Sequence, residues 1–421
     1  MSPQVAGVLP RRVEALVESR LSDEQVILLE GPRSVGKSTL LRAIAAVHQV
    51  DVLDLDDLAT RDAAAADPAL FVSGPAPVCL DEYQHAPAVL DAIKAELNRD
   101  GRPGRFLLTG STRQPALPTV AQALTGRLHR IPVLPLSQGE IGGVHERFLA
   151  ELLSGEASPS QGGRSTTSRE EYVDRVVAGG FPLAIQRAQT ARNRWFDDYV
   201  RLTLERDVRD LSHLRQGAML PALANKLAGQ TARVLNITAA AAGVGLDRAT
   251  ADSYVKLLEA VFLLYRLPAW GTTLTARSSA SPKIHVVDSG VAARLLRLTP
   301  AKLAERTPAA LTEFGHLLET FVVGELLKQA SWVDDVAVTG HWRTHDDDEV
   351  DLVVERDDGA IVGFEVKAAS RVPGDELRGL RKLREATKDA FLAGVVLYLG
   401  ERSYTYEDRL HVVPVDRLWA P

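Results

Sequence analysis

The chain has 421 residues, of which 45% are hydrophobic and 25% charged, and this ordinary globular composition excludes a disordered or fibrous protein. At about 150 residues per domain, the length predicts a multidomain chain. The net charge of −6 excludes a protein that coats nucleic acid through overall positive charge, so any nucleic-acid contact must be local. The single cysteine, Cys79, excludes a disulfide scaffold and a cysteine-based zinc site.

The N-terminal segment lacks the apolar run of a signal peptide, and no stretch reaches the roughly 18 apolar residues of a transmembrane helix. The single cysteine also fits a reducing compartment. We therefore expect a soluble cytoplasmic protein with no membrane partner.

Short β-like runs alternate with helical segments through the first third of the chain. Apolar residues at helical spacing, from Val13 to Leu21, predict an amphipathic helix over residues 1–24. Because strands separated by helices are typical of parallel α/β sheets, we expect such a sheet here. The predicted strands are 25–30, 50–55, 78–80, 105–109 and 130–134.

The remaining sequence has a different pattern. Residues 154–168 are rich in Ser, Gly and Thr, which predicts a linker or loop. Residues 169–228 are predicted to be helical, and β-like runs follow at 262–267 and 283–288. From Leu311 a long helix is predicted to lead into β-rich sequence.

Residues 31–38 fit the pattern G-x-x-x-x-G-K-[ST] between a buried-strand sequence and a helical one. The glycines let the backbone N–H groups face phosphates, and the helix N-terminus adds positive potential. Lys37 is predicted to reach the β- and γ-phosphates of ATP, and Ser38 to ligate Mg²⁺. The predicted cofactors are therefore ATP and Mg²⁺. The predicted nucleotide-binding residues are Gly31, Pro32, Arg33, Ser34, Val35, Gly36, Lys37, Ser38 and Thr39.

A second element supports this interpretation, because residues 77–82 form a short apolar strand that ends in two carboxylates. Asp81 is predicted to hold the Mg²⁺ shell, and Glu82 to polarise the attacking water. The alternative is a pair of surface acids that follow a strand.

The segments DEYQHAP, GRFLLTGSTR, LTGR and PLSQGEI follow the phosphate-binding loop in that order. Together they resemble a large bacterial and archaeal family of AAA-type ATPases whose C-terminal half is a domain of unknown function. The resemblance runs from PRRVEAL to VVLYLGER. It implies an α/β multidomain chain with a parallel-sheet ATPase core (1–150), a linker and helical lid (151–215), a winged helix (216–300) and a restriction-endonuclease-like domain (301–421).

The same resemblance implies roles for residues near the γ-phosphate. Ser111, with Thr109 as the alternate, ends a strand where AAA-type ATPases place a sensor of the γ-phosphate. An arginine finger is expected from Arg127, with Arg113 and Arg130 as alternatives, or each of them is a solvated surface arginine. A finger supplied by a neighbouring subunit predicts a homo-oligomer. The segments GGFP (179–182) and ERD (205–207) also match the family, and their roles stay open between packing and catalysis.

Residues 235–244 and 247–261 have the spacing of a helix-turn-helix, and the resemblance implies a winged fold around them. The second helix carries three acidic and two basic residues. Because a helix that reads DNA is normally basic, this balance argues against direct base reading. DNA contact and a structural or subunit-contact role both remain open.

Four residues of the C-terminal quarter form a further constellation: Glu319 on a predicted helix, Asp351 in EVDLVVE, and Glu365 and Lys367 in GFEVK. Their order resembles the PD-(D/E)XK nuclease fold in its Holliday-junction-resolvase-like form. Carboxylates on adjacent strands offer hard oxygen ligands to Mg²⁺, so Asp351 and Glu365 are predicted metal ligands. Glu319 and Lys367 complete the predicted catalytic set, with Lys367 orienting water or stabilising the transition state.

Two functions are therefore predicted. The first is a Mg²⁺-dependent ATPase coupled to a winged-helix and nuclease-like half that acts on DNA. The alternative is a nucleotide-controlled switch whose nuclease-like domain is inactive and binds a protein or nucleic-acid partner. For DNA contact, the best local basic patch is the predicted helix that carries Arg378, Arg381, Lys382 and Arg384, together with Lys388 just after them.

Overall fold

The structure is a computed structural model that describes residues 9–113, 124–155, 164–211, 217–273, 281–346 and 348–420. These residues form a five-stranded, a three-stranded and a six-stranded sheet, together with helices. The predicted α/β class is confirmed. Within the part of the chain that the structure describes, none of the helices combines the length and apolar character that crossing a membrane requires.

The N-terminal sheet is entirely parallel and has the strand order β2-β3-β4-β1-β5. This confirms the parallel sheet expected from the alternation of strands and helices. The carboxyl ends of its strands meet at one edge, which is where ligands bind in open α/β sheets. The strands are β1 (Val26–Glu30), β2 (Val52–Asp54), β3 (Val78–Asp81), β4 (Phe106–Gly110) and β5 (Leu128–Pro132).

Alternate residues of the strands point to opposite sides of this sheet, and both faces are buried against apolar side chains. Ile27 and Leu29 of β1 belong to one buried apolar cluster, whereas Val26 and Leu28 belong to another. Such two-sided burial explains why VILLE is continuously apolar. The helices of this region are α1 (Val13–Leu21), α2 (Lys37–His48), α3 (Leu58–Ala66), α4 (Pro68–Phe71) and α5 (Val89–Arg99).

A helical region follows, as the sequence predicts, and residues 156–163 of the predicted linker lie outside the described residues. One turn of π-helix, Thr203–Asp207, continues its longest helix. The helices are α6 (Gln138–Gly142), α7 (Phe148–Ser154), α8 (Arg169–Ala178), α9 (Pro182–Ile185), α10 (Gln189–Leu202), α11 (Val208–Leu211) and α12 (Leu220–Ala228).

The predicted helix pair appears as α13 (Ile237–Ala242) and α14 (Arg248–Ala260). Asp247 caps α14 by accepting a hydrogen bond from the Thr250 N–H. Beside the pair lies an antiparallel sheet of order β6-β8-β7. That the helix pair and this sheet together form a winged helix stays a prediction. The strands are β6 (Arg233–Val234), β7 (Leu264–Leu267) and β8 (Lys283–Val286).

The C-terminal sheet is mixed and has the order β13-β14-β12-β11-β10-β9. The pairs β9–β10 and β10–β11 are antiparallel, whereas β11–β12 and β12–β14 are parallel. The helices are α15 (Ser289–Leu295), α16 (Pro300–Ala304), α17 (Pro308–Ala330) and α18 (Arg378–Thr387). The strands are β9 (Val336–Arg343), β10 (Glu349–Arg356), β11 (Ile361–Lys367), β12 (Phe391–Tyr398), β13 (Tyr404–Glu407) and β14 (Leu410–Pro414).

Helix α17 also contacts the segment that follows β5. The Gln138 N–H donates to a carboxylate oxygen of Glu325 at 2.7 Å, and the Lys328 ammonium donates to the Leu136 carbonyl at 3.0 Å. The Leu136 N–H in turn donates to the Gly180 carbonyl at 2.8 Å. The PLSQGEI and GGFP segments therefore meet in one buried junction, comprising residues 135–140, 179–182 and this part of α17.

The close approach of backbones at this junction predicts a stability effect. A β-carbon at Gly180 would lie 2.2 Å from the Leu136 carbonyl oxygen, so Gly180→Ala should lower the free energy of unfolding by roughly 1–3 kcal/mol. Gly315→Ala on α17 is the matched control, because a β-carbon there meets nothing within 4 Å and alanine favours helix. Urea denaturation followed by circular dichroism measures both. Equal stability of the two variants would contradict the proposed close packing.

Candidate functional site

The phosphate-binding loop joins β1 to α2, and its backbone shape depends on glycine. Gly36 has φ 97° at the start of α2, a left-handed conformation that side chains disfavour. A β-carbon at Gly31 would lie 2.1 Å from the Val133 carbonyl oxygen, so the loop and the end of β5 can approach only at a glycine. These constraints explain the two glycines that frame the motif.

Lys37 is only 4% exposed and lies folded across the loop. Its Nζ donates to the carbonyls of Gly31 at 2.9 Å and Pro32 at 2.8 Å. Burial lowers the pKa of Lys37 to about 8, although the neighbouring carboxylates Glu82 and Asp81 act to raise it. The ammonium is therefore solvated by neutral carbonyls, which compensate a buried charge only in part.

The carboxylates at the end of β3 are held by hydroxyl groups. Ser38 Oγ donates to Asp81 Oδ1 at 3.1 Å, and the Thr109 hydroxyl donates to the same oxygen. Thr109 Oγ1 also accepts the Glu82 N–H at 2.9 Å. Burial raises the pKa of Asp81, and the hydrogen bonds from Thr109 and Ser38 oppose that rise. Thr109, the alternate sensor in sequence, thus positions both acids.

Glu82 is buried and has φ 53°, a left-handed conformation that turns its carboxylate toward β4. Ser111 Oγ donates to Glu82 Oε2 at 3.0 Å, and Gln84 Nε2 donates to the same oxygen and to Ser111 Oγ. Burial acts to raise the pKa of Glu82, but Lys37 and these donors hold it below its ordinary value. Gln84, part of DEYQHAP, is a site neighbour that the sequence interpretation missed.

The three candidate finger arginines occupy different surroundings. Arg127 is half-buried and donates from Nη1 to Asn98 on α5 at 2.9 Å. The Arg113 N–H donates to the Ala260 carbonyl at 2.9 Å, and its guanidinium lies 4.8 Å from the centre of the Phe262 ring. Arg113 therefore connects the end of β4 to the end of α14 within one chain, whereas Arg130 is exposed on β5.

Two further arginines connect the phosphate-binding loop to its surroundings, and neither contact was predicted. Arg33 forms an ion pair with Asp207 of the π-helical turn at 2.8 Å. Arg11 donates to the loop carbonyl of Val35 at 2.6 Å, and it also donates to the Leu134 carbonyl and to Glu140. The loop is thus tied both to the helical region and to the junction.

The C-terminal constellation assembles from α17, β10 and β11, as its order in the sequence suggests. A residue from outside the constellation, Lys283 of β8, lies among its carboxylates. Lys283 Nζ donates to Glu319 Oε1 at 2.8 Å and to Asp351 Oδ1 at 2.7 Å, and Glu349 lies 3.7 Å away. The second Asp351 oxygen accepts the Val366 N–H at 2.9 Å.

Glu365 and Lys367 form a neighbouring pair at 2.9 Å, and Lys367 also contacts Glu376. Burial raises the pKa of Glu319 and of Glu365 well above the ordinary value, and repulsion from Asp351 adds to the rise. Burial also acts to raise the pKa of Asp351, but the Lys283 ammonium, the Val366 N–H and Lys367 together outweigh it, and the pKa is lowered. Lys283 itself has a raised pKa, because Asp351 and Glu319 outweigh the cost of burial.

A divalent metal does not fit this cluster as it is arranged. The Lys283 ammonium contacts Asp351, one of the two predicted metal ligands, and also Glu319. Across the described ranges, moreover, no group of three His, Cys, Asp or Glu side chains is placed to hold a metal ion. The metal-ligand roles of Asp351 and Glu365 therefore stay predictions that would require Lys283 to leave.

The basic residues considered for DNA contact are largely paired within the chain. Arg378 and Lys382 of α18 both contact Asp348, which lies in the acidic turn between β9 and β10. Arg381 and Arg384 both contact Glu407. Two carboxylates distant in sequence thus pair with four of the basic residues counted along this helix. On α14, Lys256 pairs with Asp252 at 2.7 Å.

Three family descriptions match consecutive parts of the chain. Residues 23–142 match an AAA domain. Residues 169–302 match a domain of unknown function, DUF8612, and residues 314–418 match another, DUF4143. The chain therefore contains an AAA-type P-loop domain, which is the part of the family resemblance that these matches support.

Two uncharacterised proteins, one from Mycobacterium bovis and one from Mycobacterium tuberculosis, are each 27% identical over 414 residues. The alignments cover 97% of this chain and 84% of each relative. Among solved structures, the RuvB Holliday-junction branch-migration motor of Thermotoga maritima matches with 20% identity, covering 61% of this chain and 87% of that chain. The TM-score of this match is 0.28.

Proposed function

We propose that the protein binds and hydrolyses ATP with Mg²⁺ and couples the nucleotide state to its C-terminal half. The observation that carries this proposal is the cluster at the carboxyl edge of the parallel sheet. There Lys37, Ser38, Asp81 and Glu82 come together around the phosphate-binding loop. The match of residues 23–142 to an AAA domain supports the same assignment.

The donor set suits Mg²⁺, because the Ser38 hydroxyl and an Asp81 carboxylate oxygen are hard ligands 3.1 Å apart. When bound, the ion would neutralise phosphate charge. Lys37 would exchange its two carbonyl partners for phosphate oxygens, which compensate its buried charge better. Glu82 would orient water and accept its proton, while Ser111 and Gln84 hold the carboxylate in place.

Lys37→Ala should weaken ATP binding by at least about tenfold, because the buried cation that faces the phosphates is lost. Glu82→Gln should keep ATP affinity and lower turnover roughly 10²-fold or more, because the proton acceptor is removed. Titration calorimetry and phosphate release measure the two effects, with EDTA testing the requirement for Mg²⁺. Lys94→Ala, an exposed lysine on α5, is the control. Undiminished ATP affinity in Lys37→Ala would reject the assignment.

We assign Arg127 as a finger that acts on a neighbouring subunit's nucleotide in a homo-oligomer. Arg127→Ala should then lower turnover roughly 10³-fold with ATP affinity nearly intact. Turnover per wild-type chain should also rise with protein concentration. Arg99→Ala on the adjacent α5, with a side chain that is 74% exposed, is the matched control. Normal hydrolysis by Arg127→Ala would remove this role.

For the C-terminal half, the second candidate function is metal-dependent DNA cleavage. It is favoured by Asp351 and Glu365 on paired strands, with the Val366 N–H bound to Asp351. The position of Lys283 favours the other function, a nucleotide-controlled switch whose nuclease-like domain binds a partner without cutting DNA.

We expect no cleavage of junction, flap or single-stranded DNA by the wild type, with or without Mn²⁺. On the switch interpretation, Asp351→Ala should leave DNA affinity unchanged or raise it, because a negative charge is removed. Gel assays of cleavage and binding on the same substrates measure both. Mn²⁺-dependent product that Asp351→Ala fails to form would establish the nuclease instead, and absence of DNA binding would direct the search to a protein partner.

A further inference from the structure

We infer that Lys283 is the resident cation of the C-terminal carboxylate cluster and that strand β8 closes this cluster against a divalent metal. The inference concerns only the C-terminal half, so it does not depend on ATP hydrolysis.

The ammonium contacts two carboxylates as a bound cation would. Lys283 is 1% exposed, and its Nζ lies at charge-assisted hydrogen-bond distance from both Glu319 and Asp351. These carboxylates come from α17 and β10, whereas the lysine comes from a different sheet. One cation thus bridges two elements of the C-terminal domain, as a shared metal ion would.

The lysine and a metal would compete for the same carboxylate oxygens. Glu365 is paired with Lys367, which leaves Lys283 as the cation in contact with Glu319 and Asp351. Removing it would leave two buried carboxylates uncompensated, which is strongly destabilising. A divalent ion that bound the same oxygens would lie beside the ammonium, which would repel it. A metal could therefore bind only where the ammonium has withdrawn.

Withdrawal is opposed by the way β8 is held. Lys283 lies in the central strand of its sheet, opposite Val234 of β6 and Leu267 of β7. The segment after β7 continues the docking, because the Trp270 N–H donates to the His341 carbonyl of β9 at 2.6 Å.

A second contact fixes the same sheet to α17. Thr231 and Thr320 share a buried hydrogen bond of 2.8 Å. The lysine is therefore not a mobile surface chain that samples the cluster. The cluster opens only when the three-stranded sheet separates from β9 and α17.

The test is Mn²⁺ binding to the full chain without nucleotide, measured by electron paramagnetic resonance. Wild type should show no Mn²⁺ site that depends on Asp351, so wild type and Asp351→Asn should bind alike. Lys283→Ala should gain one site, with affinity at least about tenfold above that of wild type. The double variant Lys283→Ala/Asp351→Asn should lose that site again. Lys256→Ala, which removes an exposed lysine, should gain nothing.

Two results would overturn the inference. One is Mn²⁺ binding by wild type that Asp351→Asn abolishes, and the other is a folded Lys283→Ala that gains no site. If Lys283→Ala does not fold, reductive methylation of wild type with mass spectrometry decides the matter. Lys283 should stay unmodified under conditions that label Lys256, and labelling of both at similar rates would show that the cluster is open.

Discussion

A buried hydrogen bond from the Gln138 N–H to Glu325 joins the segment that follows the parallel sheet to helix α17 of the C-terminal half. Glu325 is 1% exposed and is also paired with Lys328, so its carboxylate is satisfied by partners on both sides of the junction. Burial raises its pKa, while Lys328 and the Gln138 N–H act to lower it. Removing either partner would leave a buried carboxylate short of compensation, which is why such a contact tolerates little displacement.

From this junction, physical contacts lead in two directions. Arg11 connects it to the phosphate-binding loop, because it donates both to Glu140 and to the Val35 carbonyl. Helix α17 connects it to the carboxylate cluster, since Glu319 lies six residues before Glu325 on one continuous helix. Contiguity alone does not establish coupling, which requires an element with two arrangements. The three-stranded sheet that carries Lys283 is the element for which a second arrangement can be described. If this sheet separated from β9 and α17, the carboxylates would be exposed.

The parallel sheet and the phosphate-binding loop could be predicted from sequence because their signals are local. The loop motif is contiguous, and the strand before it is apolar throughout because both faces are buried. Contacts between residues that are far apart in the sequence have no such local signal. Lys283 is 68 positions from Asp351, and Arg33 meets Asp207 of the π-helical turn in the helical region. The basic helix α18 was visible in sequence, but its partners Asp348 and Glu407 were recognisable only after the sheet had formed.

The two buried lysines differ in what stabilises them, and this difference bears on function. Lys37 is held by neutral carbonyls, and its pKa is lowered to about 8, so a phosphate would improve its surroundings. Lys283 is held by two carboxylates, and its pKa is raised, so it is already compensated. A ligand is drawn to the site whose charge is poorly satisfied, not to the one whose charge is already matched. By the same physics, a nucleotide would improve the surroundings of Lys37 and a metal would not improve those of Lys283, so we expect the N-terminal site to be the one that responds to ligand.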